Sequence, residues 1–122
     1  MTLSALQQDF MLALSDLLIF IHRNGYNCTL GDGYRDPKIH GAPGAKIVCP
    51  ECPDFRPYGR AWSNHKLRLA IDINLFKDGV YLTKTEDHRL TGEYWETLHP
   101  QASWGGRFDD GNHYSFLYRG RR

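Results

Sequence analysis

Residues 63–76 read Ser63-Asn-His65-Lys-Leu-Arg68-Leu-Ala-Ile-Asp72-Ile-Asn-Leu-Phe76, and the second half of this stretch decides the fold. From Leu69 onward, Leu69, Ile71, Ile73 and Leu75 alternate with Ala70, Asp72, Asn74 and Phe76. A period of two with β-branched residues on one side predicts a half-buried strand over 69–76. Lys77-Asp78-Gly79 is a turn, and Val80-Tyr81-Leu82 begins the partner strand of a hairpin. Asp72 stands in the middle of the apolar run, where an unpaired charge is costly to bury. Two readings stay open for it: a place on the solvent face, which alternation alone favours, or a bound cation.

Working outward, Leu6, Phe10, Leu14, Leu17 and Ile21 recur at helical spacing after Ser4. They predict an amphipathic core helix over 5–23, with Ser4 as N-cap and Gly25 ending it. Residues 26–35 hold a short strand leading into a turn at Asp36-Pro37. From Pro37 to Trp62 the chain is rich in Gly and Pro and lacks periodicity, which predicts a long functional loop. Downstream, Asp87 to His99 reads as a helix around Tyr94, Trp95 and Leu98, stopped by Pro100, and His113 to Tyr118 as a final strand. Trp95 is expected in the core, and His22, His88 and His99 on the surface. No repeat or domain boundary interrupts the 122 residues, which are read as one domain over 1–122.

The composition narrows the classes of function. Hydrophobic residues make up 41% and charged residues 24%, with a formal net charge of +1. That near-neutral balance speaks against a nucleic-acid partner. Three cysteines, Cys28, Cys49 and Cys52, are an odd number that suits synthesis in a reducing cytosol. The apolar stretch from Phe10 to Ile21 has no basic start and no small-residue cleavage site, and Asp16 interrupts it. It is read as neither a secretory signal nor a membrane span. The expectation is a protein made in the cytoplasm without a signal peptide, with no membrane insertion.

A hydrolytic zinc site takes about three protein ligands and leaves a position open. His65 lies at the entrance of the strand that contains Asp72, seven residues before it. A second cluster, Trp104-Gly-Gly-Arg-Phe-Asp109-Asp110-Gly-Asn-His113-Tyr, places Asp110 three residues before His113. Asp109 is a rival for any acid–base role given to Asp110, and Trp104 is read equally as core or as lining a site. Cys49-Pro-Glu-Cys52 has metal-knuckle spacing, and Cys28 and His40 could complete a structural site with it. A disulfide or a pair of free thiols is the plainer reading of the same residues.

Ser63-Asn-His65-Lys-Leu-Arg68-Leu-Ala70-Ile-Asp72 resembles the Ser-x-His-x-x-Gly-x-Ala-x-Asp signature of the M15 zinc peptidases. Trp104-Gly105-Gly106 with Asp110-x-x-His113 is similar to the second motif of that family, and Gly33-Tyr34-Arg35 to its upstream Gly-x-Arg element. The three stand in the family's order over about two-thirds of the chain. The resemblance implies an α+β fold, a small antiparallel sheet with flanking helices of the Hedgehog/DD-peptidase kind. It implies that His65, Asp72 and His113 hold Zn2+, that Asp110 is the catalytic acid–base, and that Arg35 lies near the scissile carbonyl. Ser63, at the start of the first motif, would orient substrate or support His65, and Trp104, beside two glycines near the proposed site, is the candidate to line a substrate groove. Arg68 departs from the family, which has glycine at that position.

The activity implied is hydrolysis of peptide bonds in peptidoglycan stem peptides. An L-alanyl-D-glutamate endopeptidase of the phage or prophage endolysin type, acting on the cell wall after release, is preferred. A D,D-carboxypeptidase or dipeptidase is the alternative within the class. A non-catalytic, metal-stabilised wall-binding or virion module is the alternative outside it.

Overall fold

The computed structural model describes residues 2–31, 65 and 67–120. The loop over 37–62, with the Cys49/Cys52 pair and His40, lies outside the described residues, as do Arg35, Ser63, Tyr34, Tyr58 and Trp62. Among the described residues the architecture is α+β, two helices on a small antiparallel sheet.

The first helix, α1 (Leu3–Arg23), begins two residues before its expected start, because Thr2 rather than Ser4 caps it. The Thr2 hydroxyl accepts from the Ala5 N–H at 3.1 Å, satisfying one of the unpaired donors of the first turn. Leu6, Phe10, Ala13, Leu14, Leu17 and Ile21 form its buried stripe. At 21 residues α1 is, by length and composition alone, long and apolar enough to cross a bilayer, which corrects the shorter and more polar segment read from the sequence. Here its apolar stripe lies in the protein core instead.

The sheet is built on β2 (Ala70–Lys77). Along one edge β2 pairs with β1 (Asn27–Leu30). Along the other it pairs first with β5 (His113–Phe116) and then with β3 (Val80–Leu82), which returns through the two-residue turn Asp78-Gly79. The far side of β5 carries β4 (Ala102–Trp104), a strand of three residues that the sequence pattern does not announce. β5 ends at Phe116, two residues before its expected end.

The helix expected over 87–99 is divided. A 3-10 turn at Thr85–His88 precedes α2 (Arg89–Thr97). Asp87 accounts for the early start, since its carboxylate accepts from the Lys84 backbone N–H at 3.0 Å.

The helices cover the sheet face that carries Leu69, Ile73, Leu75, Tyr114 and Phe116. Trp95 is fully buried there, as expected, with edge contacts to Phe10 and Tyr114. Because neighbouring residues of a strand point to opposite faces, Asp72 and His113 project from the side away from this core.

Candidate metal centre

Strand register assembles the site. Asp72 and His113 are directly opposite each other in the β2–β5 ladder, forty-one residues apart in sequence. His113 Nδ1 lies 3.2 Å from Asp72 Oδ1. His65, in the turn that leads into β2, reaches the same oxygen with Nε2 at 3.3 Å, and its ring meets that of His113 edge-on at 5.1 Å. The three ligand atoms lie within 4.8 Å of one another. No fourth histidine, cysteine or carboxylate joins them among the described residues.

His65 is 2% exposed, and the side chains of His113 and Asp72 are 14% and 17% exposed. Burial pushes the Asp72 carboxyl up, but hydrogen bonds and charge from His113 and His65 outweigh it and hold the group at about 2. Asp72 is therefore a carboxylate at any physiological pH. This bears on the first of the two readings of its place in the strand. It does leave the core face, yet it points at two imidazoles rather than into open solvent.

Two imidazole nitrogens and one carboxylate oxygen, with no fourth histidine, cysteine or carboxylate beside them among the described residues, are a donor set that suits a divalent ion such as zinc. The residues present thus fit the ion that the sequence motif implies, with His65 Nε2, Asp72 Oδ1 and His113 Nδ1 as the atoms that would hold it.

Asp110 is exposed at the head of the turn that delivers His113. Its backbone N–H donates to Gly105 O at 2.9 Å, and its carbonyl accepts from His113 N at 3.1 Å. The turn is anchored on several sides. Trp104 Nε1 donates to Gly111 O at 2.7 Å, Gly111 N donates to the Thr85 hydroxyl at 3.2 Å, and Ile73 N donates to Asn112 O at 2.8 Å. Gly105 must be glycine here, since a Cβ would fall 2.3 Å from Asp110 O and 2.8 Å from His113 Cβ. Asp109, the rival, adopts a left-handed backbone at φ 59°.

Trp104 is 3% exposed, which favours the core over the substrate groove among its two readings. Its indole is wedged against Gly92 of α2 and supports the 105–113 segment from the core side. The surface positions expected for two histidines are corrected. His88 is 3% exposed and bonded through Nδ1 to the Tyr114 hydroxyl at 2.8 Å. His99 is partly buried, stacked on Phe116, with Nε2 3.1 Å from Asp9 Oδ2. His22 is exposed, as expected.

Thr85 and Gly111 were not singled out in the sequence, and Gly105 entered only as part of the Trp104-Gly105-Gly106 motif. Their contacts, the Thr85 hydroxyl with Gly111 N and the close packing at Gly105, are made across the fold and leave no local signal.

Arg68 occupies the left-handed region at φ 59°. The backbone keeps the conformation that glycine favours at this motif position, although the residue has changed.

A family model described as D-alanyl-D-alanine carboxypeptidase matches residues 58–116, the segment that contains all three metal-site residues and Asp110. Among curated proteins no relative matches the chain.

Proposed function

We propose that this chain, an M15 family peptidase by its match over residues 58–116, uses a bound Zn2+ to hydrolyse peptide bonds in the stem peptides of bacterial peptidoglycan. The observation that carries the reading is the convergence of His65, Asp72 and His113 on one point, with Asp110 one turn away in the same matched segment.

When bound, the ion supplies Lewis acidity and makes water a competent nucleophile near neutral pH. Asp110 takes the proton from the attacking water and delivers it to the leaving amine. A positioned acid–base of this kind contributes about 10²–10⁴-fold. Asp72, kept ionised, would supply the anionic ligand between the two imidazoles. Arg35, by its place in the motif, stabilises the developing oxyanion, and Ser63 orients the substrate. We assign the bond between L-alanine and D-glutamate as the one cut, in an endolysin made in the cytoplasm and acting on the wall after release. The matching family, described as D-alanyl-D-alanine carboxypeptidase, favours a second reading within the same class, removal of a C-terminal D-alanine.

Asp110→Ala should retain stoichiometric zinc and lose hydrolysis, while His65→Ala should lose both. Metal analysis combined with a turbidity assay on purified cell walls separates these cases. Mass spectrometry of the released muropeptides identifies the bond. Full activity in Asp110→Ala would remove that residue from the mechanism. Wall binding without cleavage by the zinc-loaded parent would reduce the protein to a binding module.

A further inference from the structure

Because β5 and β3 share one edge of β2 in succession, a gap opens between the turn before β5 and the connection that follows β3. A polar cleft of about 180 Å³ occupies it. Asp109 and Asp110 line the cleft from one side, and the hydroxyl-bearing Tyr81, Thr83 and Thr85 from the other. His88 also lines it, although that residue is 97% buried.

The hydrogen bonds around His88 determine which ring nitrogen carries its proton. The Thr91 hydroxyl donates to the His88 carbonyl at 3.0 Å, so it has no second hydrogen to give. It must accept from Tyr114, whose hydroxyl lies 2.7 Å away. With its only hydrogen committed, the Tyr114 oxygen must accept from His88, so Nδ1 bears the hydrogen across the 2.8 Å contact. Burial keeps this imidazole neutral, against the pull of Asp87, down to about pH 4. Nε2 is then a bare lone pair on a buried ring, with no hydrogen-bond partner among the described residues. A buried acceptor of this kind calls for a donor.

Charge selects the kind of donor. Asp109 and Asp110 bring two negative charges to the cleft and Lys84 one positive, which leaves a net −1. A carboxylate would face two like charges and a lone pair. A cation that donates hydrogen bonds meets complementary groups throughout.

We propose that this cleft is a subsite for a primary ammonium group on the peptide substrate, held by His88 Nε2 and the Asp109 carboxylate beside Asp110. This rests on the peptidase reading, in that Asp110 marks the place of the reacting bond. It assigns specificity to substrates with a free side-chain amine close to that bond.

Two experiments on the zinc-loaded protein test it, one without any hydrolysis. Imidazole 15N spectra should show His88 as the Nδ1–H tautomer. n-Butylammonium chloride should shift the Nε2 resonance saturably, with n-butanol at least 10-fold weaker. Asp109→Asn, which tolerates the left-handed backbone there, should weaken the n-butylammonium effect at least fivefold. In the second experiment, two peptides of stem-peptide sequence differ only in lysine against its isostere norleucine. The parent should favour lysine at least 10-fold in kcat/KM, and Asp109→Asn should bring that ratio close to one.

An Nε2–H tautomer, or a His88 resonance unmoved by n-butylammonium, overturns the subsite. So does equal cleavage of the two peptides. A saturable n-butylammonium shift in a protein that cuts neither peptide nor cell wall supports the subsite and overturns the peptidase reading.

Discussion

Replacing His88 by glutamine should flatten the acid side of the stability profile. In the fold, burial outweighs the attraction of Asp87 and lowers the imidazole from 6.5 to about 4. In the unfolded chain it returns to about 6.5. The sign follows from proton counting. Above pH 6.5 both states are neutral at this residue, and its contribution to stability is fully present. As pH falls below 6.5 the unfolded chain binds a proton that the fold refuses, and stability is lost until the folded pKa near 4 is passed. The gap between the two values sets a ceiling of about 3 kcal/mol, with about 2 kcal/mol gone by pH 5. Glutamine retains an N–H for the Tyr114 oxygen and does not titrate. Urea unfolding of chelator-treated parent and His88→Gln at pH 7.5, 6 and 5 measures the difference, in which His65, His113 and the carboxylates cancel. Parallel profiles for the two proteins would refute the burial of a neutral His88.

Gly92→Ala should destabilise the fold by about 2–3 kcal/mol, read as a lower denaturation midpoint, because the new Cβ would lie 2.1 Å from Trp104 Cδ2. On an exposed helix the same change stabilises by about 1 kcal/mol, so the sign itself reports the packing of Trp104 beneath the site. Arg68→Gly should hold stability within about 1 kcal/mol of the parent or raise it, while Arg68→Val should lower it, since φ there is 59° and β-branching opposes that region. Thermal unfolding decides between them, and a stable Arg68→Val would contradict the left-handed backbone. Chelation should abolish wall lysis and lower the melting temperature, and added Zn2+ should restore both. Activity that survives complete metal removal, checked by elemental analysis, would exclude the metal mechanism.

Much of this molecule was legible one segment at a time. Helix α1, the β2–β3 hairpin and the buried Trp95 follow from periodicity and turn residues, which are local signals. His65, Asp72 and His113 were identified as a set by motif, because metal coordination constrains residue type and spacing together. Asp72 alone stayed ambiguous, since alternation says only that a side chain leaves the core and not what it meets.

The tertiary structure decided the rest. Strand order and register put His113 opposite Asp72, and no short-range signal reports which strands pair. His88 reads as an ordinary polar residue in sequence, and its burial follows from Thr91 and Tyr114, the latter twenty-six residues away. Trp104 became a core wedge because Gly92, on another element, leaves space for its ring. The amino-acid order thus specified which chemical groups are available and which local shapes they favour. Their distances, protonation and exposure depend on contacts between segments far apart in the chain, which exist only once it has folded.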